Sequence, residues 1–274
     1  MSGAGNLFTV IDNSGGLVTP QQIQPHVPSL CSDATLPKTE GLMMLQESQE
    51  LDLDFRVDFF NPDGSTSMMC GNGARCAIRF AQHIGIIKAD DSYVRFFMAG
   101  NVYSGISSLD DITVVFPPPQ SIQRHLPLLI DNYSITVSSI NTGSDHIVLH
   151  EDELSTAATK LFMSELEVMS LLRNHPVFPR GTNVNVYSQT DTILHLRTYE
   201  RGVEGITGAC GTGALATAIH CWDGIDTAIH YTIIPPSQST LSVRIESLDG
   251  IIQYMTLEGS ADILTTYSVE IPLT

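Results

Sequence analysis

The chain of 274 residues is short of basic side chains, with 13 Lys and Arg against 30 Asp and Glu and a formal net charge of −17. Such a charge repels a phosphate backbone, so we expect neither nucleic acid nor an anionic membrane as a partner. An anionic ligand would have to be attracted locally, by single arginines or by helix N-termini.

Long apolar runs and targeting patterns are also missing. No window reaches the roughly 18 uninterrupted apolar residues that a membrane span requires. The first residues, MSGAGNLFTVIDN, carry no basic cluster ahead of an apolar run, which is the mark of a secretory signal. We therefore expect a cytoplasmic protein.

Cysteines are few, and they stand at positions 31, 70, 76, 210 and 221. Their odd number and the lack of a Cys-x-x-Cys pair argue against a disulfide scaffold and against a zinc ribbon. Cys70 and Cys76 are six residues apart, which on a helix turns them roughly 120° away from each other. No metal site is expected.

The strand and helix patterns predict an α/β (α+β) protein in two halves. Strand patterns occupy 42–61 and recur in YVRFFMAG, VYSGIS and ITVVF, and a helix should follow the CGNG loop and stop near Gly85. The three prolines of FPPPQ, residues 116–120, interrupt any ladder and predict a domain crossing. We therefore expect one domain over 1–116 and a second over 117–261.

The second half repeats this order. Its predicted strands are YSITVSSI, DHIVLH, TNVNVYSQ, ILHLRTYE, LSVRIES and IIQYMTLEG. A helical stretch is predicted over LSTAATKLFMSELEVMSLLRN, and another runs from Ala214 to about Trp222. The latter, ALATAIHCW, is apolar nearly all round, which predicts a helix wrapped by strands or, alternatively, one buried at a domain interface.

Two similar glycine loops mark the halves: MMCGNGARC at 68–76 and GACGTGALA at 208–216. Each places a Cys-Gly-x-Gly-Ala sequence after strands and a polar turn and ahead of a helix. Their cysteines are about half the chain apart. This repetition indicates an ancient duplication, and pseudo-symmetric halves would place the two loops face to face across a cleft.

A cysteine at a helix N-terminus has its thiolate stabilised and its pKa lowered, while the glycines let backbone amides turn towards a carboxylate. Two such thiols could remove the α-hydrogen of an amino acid from one face and return a proton to the other, without pyridoxal phosphate or any other cofactor. Two alternatives remain: a thiol redox protein whose cysteines form a functional disulfide, and a non-catalytic amino-acid-binding protein.

The sequence resembles the diaminopimelate epimerase family over nearly its whole length. The motifs that carry this resemblance are GAGNLF at 3–8, FNPDGSTSMMCGNGARC at 60–76, HPVFPRGTNVNV at 175–186, YERGVEGITGACGTGA at 199–214 and LEGSA at 257–261. The resemblance implies interconversion of LL- and meso-diaminopimelate in lysine and peptidoglycan precursor synthesis. It also implies two domains, each a mainly antiparallel sheet curled around a central helix, with the active site in the cleft and the tail 262–274 returning to the first domain. A homodimer is compatible with it.

The resemblance implies Cys70 and Cys210 as the acid/base pair. It further implies a set of substrate contacts: Asn6, Asn61, Gly71, Asn72, Asn183, Glu200, Arg201, Gly211 and Thr212. In this set Arg201 suits a carboxylate and Glu200 an ammonium group. His146 matches a family histidine beside the active site or is a structural histidine.

Four positions depart from the family pattern: Leu7, Ser144, Asp145 and Ile206. None is a thiol, but Ser144 stands where the family has a substrate-binding asparagine, which its hydroxyl could replace. A racemase for a single amino acid such as glutamate or histidine is therefore an alternative with the same mechanism.

Three residues near the loops have plain structural interpretations. Cys76 and Cys221 are expected to be small core residues within their helices. Arg75 is expected to support the loop or domain packing rather than to touch the substrate.

Overall fold

The computed structural model describes residues 1–32, 37–66, 69–88, 92–225, 228–268 and 270. The chain folds into two compact units. The first unit comprises residues 1–115 with the described residues from 258 onward, and the second comprises residues 116–257.

The first unit is built on one sheet with short helices and one long helix. Its elements are β1 (Ser2–Gly3), β2 (Asn6–Leu7), β3 (Thr9–Asp12), α1 (Pro20–Ile23), α2 (Val27–Cys31), β4 (Leu42–Glu47), β5 (Phe55–Phe60), α3 (Gly71–His83), β6 (Ser92–Met98), β7 (Asn101–Ser107) and β8 (Ile112–Phe116). The sheet runs β3-β4-β5-β6-β7-β8, and β1 pairs with β2 separately. The β3/β4 and β5/β6 pairs are parallel, and the other pairs are antiparallel.

The second unit has a longer sheet. Its elements are β9 (Ser121–Ile130), β10 (Tyr133–Asn141), β11 (Asp145–His150), α4 (Glu151–Leu161), α5 (Glu165–Arg173), β12 (Asn183–Thr190), β13 (Ile193–Glu200), β14 (Gly205–Ile206), α6 (Gly211–Cys221), β15 (Ala228–Ile234), β16 (Leu241–Leu248) and β17 (Ile251–Gly259). The order is β17-β16-β15-β13-β12-β11-β10-β9, with β14 added to β13. The β11/β12 and β13/β15 pairs are parallel.

The two units share one connection pattern. In each, a parallel strand pair is joined through helices, an antiparallel step follows, and a second parallel pair is joined through the helix that begins at a cysteine loop. In the first unit this pattern is β3, α1/α2, β4, β5, α3, β6; in the second it is β11, α4/α5, β12, β13, α6, β15. The predicted two-part α/β fold is confirmed, and its halves repeat one topology.

Helix α6 is enclosed by the strands of its own unit. Every residue from Gly211 to Ile219 is buried, and the helix packs against β10, β11, β12, β13 and β16. The wrapped-helix prediction is therefore confirmed. Helices α4 and α5 cover the other face of the sheet, where Val184 and Val186 of β12 join their apolar side chains in one core.

Several elements differ from the sequence-based expectation. Strands β1, β2, β3, β9, β14 and β15 and helices α1 and α2 were not predicted. The predicted helix over 154–174 is two helices, because Phe162 adopts a left-handed conformation (φ 56°) and Ser164 then caps α5 through a capping box with Glu167. Helix α6 begins at Gly211, three residues before the predicted start at Ala214.

Chain termini meet in the first unit. Ser2 and Asp262 exchange two backbone hydrogen bonds of 2.8 Å. The predicted tail 262–274 lies partly outside the described residues, at 269 and 271–274. Among the helices of the described ranges, none combines the length and the hydropathy that crossing a membrane requires.

Candidate active site

Cys70 caps the N-terminus of α3. Its backbone is extended (φ −122°, ψ 116°), and its Sγ accepts a hydrogen bond from the Gly73 amide at 3.4 Å. The side chain is half-buried, whereas Gly71 and Asn72 behind it are buried. The predicted position of this thiol at a helix N-terminus is confirmed.

A chain of side-chain hydrogen bonds lies behind the Cys70 loop. Arg75 donates through Nη2 to Asn72 Oδ1 at 3.0 Å, and Asn72 donates through Nδ2 to Asn6 Oδ1 at 3.2 Å. Asn6 in turn donates to the carboxylate of Glu40. This chain brings two predicted substrate contacts, Asn6 and Asn72, together and orients both amides.

Arg75 is completely buried. Its Nε donates to the carbonyl oxygen of Ser260 at 3.5 Å, and burial lowers its pKa to about 10, so it stays charged at neutral pH. These contacts support the interpretation of Arg75 as a residue that holds the loop. Cys76 beside it is also buried, as expected of a core cysteine.

The first hairpin, β1/β2, packs directly on the start of α3. A Cβ atom at Gly3 would lie 2.7 Å from Asn72 O and 3.0 Å from Cys76 Sγ, so only glycine allows this approach.

Asn61 forms hydrogen bonds within its own turn. Its Nδ2 donates to Ser65 Oγ at 2.8 Å and to Thr66 O at 3.4 Å. Asn61 therefore orders the turn after β5.

Cys210 caps α6 with almost the same backbone as Cys70 (φ −125°, ψ 107°). The side chain is more buried, with 8% of the residue exposed. Its Sγ lies 3.7 Å from Thr212 Oγ1. The second predicted thiol is thus also placed at a helix N-terminus, next to the predicted contacts Gly211 and Thr212.

The two predicted supporting residues meet at Thr212. His146 Nε2 lies 2.8 Å from Ser144 Oγ and 3.0 Å from Thr212 Oγ1, and Ser144 Oγ donates to Thr212 Oγ1 at 3.2 Å. His146 is completely buried, and this burial lowers its pKa to about 3. The imidazole is therefore neutral at physiological pH.

Asn185 and Thr198 complete this cluster, and neither was predicted from the sequence. Asn185 Nδ2 lies 3.0 Å from His146 Nδ1, and Thr198 Oγ1 donates to Asn185 Oδ1 at 2.9 Å. The signal was present in TNVNV: alternation places Asn185 on the same strand face as Asn183, where a buried amide needs partners.

Asn183 holds the segment that follows β13. Its Nδ2 donates to Asp145 O at 3.1 Å, and its Oδ1 accepts from the Arg201 amide at 2.9 Å. Asp145 also pairs with Arg180 at 2.9 Å, so this departure from the family pattern has a structural partner. Glu200, at the end of β13, precedes Arg201 directly.

Each unit thus gathers its own part of the predicted set: Cys70, Gly71, Asn72 and Asn6 in the first, and Cys210, Gly211, Thr212, Ser144 and His146 in the second. Within the described ranges, no three His, Cys, Asp or Glu side chains are grouped so that they could hold a metal ion.

The family model for diaminopimelate epimerase matches residues 1–115 and 138–233, which includes both cysteine loops. The chain belongs to the diaminopimelate epimerase family. Among curated members, the diaminopimelate epimerase of a Hydrogenobaculum species is 33% identical over 256 residues, covering 89% of this chain and 90% of that protein. That of Flavobacterium psychrophilum is 32% identical over 261 residues, covering 95% and 94%.

Solved structures show the same fold at low sequence identity. A probable proline racemase from Agrobacterium radiobacter matches with a TM-score of 0.71 and 13% identity, over 98% of this chain and 91% of that one. A hydroxyproline epimerase from Agrobacterium vitis gives a TM-score of 0.70 and 14% identity, over 94% and 87%. The diaminopimelate epimerase family is a family of isomerases, and this chain has the two-domain fold that such structures share.

Proposed function

We propose that the protein is a diaminopimelate epimerase that interconverts LL- and meso-diaminopimelate through the thiols of Cys70 and Cys210. The observation that carries the proposal is the repeated cysteine cap. In a chain of this family, each unit places one cysteine at the N-terminus of its long buried helix, with matching backbone angles (φ −122°, ψ 116° and φ −125°, ψ 107°).

The chemistry is a two-base proton transfer. One thiolate removes the α-hydrogen as a proton, and the electron pair of the broken C–H bond delocalises into the adjacent carboxylate. The other cysteine, as a thiol, delivers its proton to the opposite face of the same carbon, which inverts the centre. The thiol and the thiolate have then exchanged roles, so the reverse direction uses the same pair.

The enolate-like intermediate needs hydrogen-bond donors for its growing negative charge. The first-turn amides of α3 and α6, around Gly71, Asn72, Gly211 and Thr212, supply such donors, and the positive helix ends add to them. The chemistry needs no cofactor, because water exclusion and these amides stabilise the intermediate.

The two ends of the substrate require different partners. Arg201 suits a carboxylate because its guanidinium can donate two parallel hydrogen bonds, and Glu200 suits an ammonium group. Asn183 orients this segment through the Arg201 amide. Asn6 and Asn72 offer ordered amides in the first unit.

A second candidate function is a racemase of one amino acid such as glutamate or histidine. The observation in its favour is Ser144, whose hydroxyl contacts His146 and Thr212 in the place of the family's substrate-binding asparagine. Leu7 and Ile206, the two apolar departures, would then contribute to a different specificity.

Proton NMR in deuterated water separates these candidates. The reduced protein is incubated with LL-diaminopimelate, glutamate and histidine, and loss of the α-hydrogen signal is followed for each. Exchange confined to diaminopimelate, with appearance of the meso isomer, is the expected result. Exchange confined to another amino acid would establish the racemase, and no exchange with any of them would exclude the epimerase and a racemase of glutamate or histidine.

The same proposal predicts a cytoplasmic enzyme of lysine and peptidoglycan precursor synthesis, since its substrate is made there. A homodimer also stays a prediction. Sedimentation of the purified protein over a range of concentrations would test the oligomeric state.

A further inference from the structure

The hydrogen-bond directions around His146 can be assigned from geometry. Asn185 Nδ2 donates to Ile147 O at 2.9 Å, and the same nitrogen lies 3.0 Å from His146 Nδ1. A backbone carbonyl can only accept, so the amide is oriented with its NH₂ group towards the ring. His146 Nδ1 therefore accepts, and the neutral ring carries its hydrogen on Nε2.

This tautomer sets the direction of the hydroxyl contacts. The Nε2–H group of His146 points at Ser144 Oγ, 2.8 Å away, and at Thr212 Oγ1, 3.0 Å away. Ser144 accepts from the ring and donates its own hydrogen to Thr212 Oγ1 at 3.2 Å. Thr212 then receives hydrogens from two sides, and its own hydroxyl hydrogen is left for Cys210 Sγ at 3.7 Å.

We infer that Ser144 is a positioning residue for the second thiol, because with His146 it orients the Thr212 hydroxyl as a hydrogen-bond donor to Cys210 Sγ. A hydrogen bond donated to sulfur favours the thiolate over the thiol. The role assigned to Cys210 rests on the proposed function. The hydrogen-bond relay itself rests on side chains of the second unit alone.

The charged groups near His146 are Asp145, which favours protonation of the ring, and Arg201, which opposes it. Burial outweighs both and keeps the ring neutral. The direction of the relay therefore does not change over the pH range in which a thiol titrates.

The test is the pH dependence of alkylation at Cys210. The full-length protein is first reduced and then treated with iodoacetamide at a series of pH values, and peptide mapping by mass spectrometry reports the rate at Cys210 separately from the other cysteines. No substrate is needed, so a failure of the relay is distinguishable from a failure of the proposed reaction.

Thr212→Val removes the donor and Ser144→Ala removes its orientation. We expect the pH midpoint of alkylation to rise by about 1 pH unit in Thr212→Val and by about 0.5–1 unit in Ser144→Ala. Ser144→Thr keeps a hydroxyl and should restore the wild-type midpoint, which separates the relay from a general loss of packing.

Ser138→Ala is the matched control. Ser138 is also a buried serine with a histidine partner, since its Oγ lies 2.8 Å from His220 Nδ1 near the far end of α6. Its midpoint should equal that of the wild type. An unchanged midpoint in Ser144→Ala, or an equal shift in Ser138→Ala, would overturn the inference.

Discussion

The two cysteine loops have the same backbone and different surroundings. In the slot between the two glycines, the first loop carries Asn72 and the second carries Thr212. Asn72 is bound to a second amide, Asn6, and to the buried cation of Arg75. Thr212 is bound to a neutral imidazole and to a hydroxyl, those of His146 and Ser144.

The sulfur atoms differ accordingly. Cys70 is half-buried and its Sγ accepts from the Gly73 amide, whereas Cys210 is buried and its Sγ faces the Thr212 hydroxyl. Local sequence thus sets the position of each thiol, while side chains from distant segments set its environment. The following four experiments test how far this difference extends.

The largest effect should come from removing either thiol. Cys70→Ala and Cys210→Ala should each lower the rate of inversion by about 10²–10⁴-fold, because one proton transfer then lacks its acid or base. Conversion of LL-diaminopimelate followed by NMR measures the loss. Cys221→Ala, at the C-terminal end of α6, is the control and should retain activity. Full activity in either loop variant would show that its thiol is not a partner in the reaction.

Replacing the glycine that follows the slot should affect protein stability differently in the two loops. A Cβ atom at Gly213 would overlap the buried Asn185 Oδ1, whereas one at Gly73 would meet only ordinary contacts, the nearest being Met43 Sδ at 3.4 Å. Gly213→Ala should therefore lower the free energy of unfolding by about 1–3 kcal/mol, and Gly73→Ala should leave it within about 1 kcal/mol of the wild type. Urea unfolding measures both; equal losses would contradict the asymmetry.

Arg75 should matter for the first loop alone. Arg75→Met leaves Asn72 Oδ1 and Ser260 O without their donor, so we expect a loss of about 1–3 kcal/mol in the free energy of unfolding. The rate of Cys70 alkylation should change, whereas the rate of Cys210 alkylation should not. Arg95→Met is the control, because its ion pair with Asp52 is exposed and should contribute about 0–1 kcal/mol. An equal effect on both thiols would indicate a general loss of structure.

The fourth effect is measured as a slope per pH unit and concerns the acid stability of the second unit. Burial lowers the pKa of His146 from 6.5 to about 3. Between these pH values the ring is protonated in the unfolded state and neutral in the folded state. The contribution of the neutral His146 ring to the free energy of unfolding is fully present above pH 6.5. It is lost as the pH falls through this window, by up to about 1.4 kcal/mol per pH unit. His146→Gln should flatten this slope in urea unfolding at several pH values. His220, whose pKa burial lowers to about 4, should leave a residual slope.

The sequence predicted most strands of the second unit, and the predictions that failed did so for physical reasons. Strand β9 follows three prolines and contains Pro127, which reads as irregular chain, yet β9 lies at the end of the sheet order, where a missing N–H is tolerated. The break between α4 and α5 was readable from Ser164 and Glu167, a capping box that interrupts an apolar helical pattern.

In the candidate site, too, some features follow from the sequence and others only from the tertiary structure. The sequence by itself determined the cysteine caps, because in both halves a helical pattern begins just after the Cys-Gly segment, and the same pattern gave the same backbone twice. Only the tertiary structure decided what each sulfur and its neighbours touch. Asn72 meets Asn6 across 66 positions, and Thr212 meets Ser144 across 68. Such contacts form only when separate parts of the chain pack against each other, and no local pattern encodes that packing.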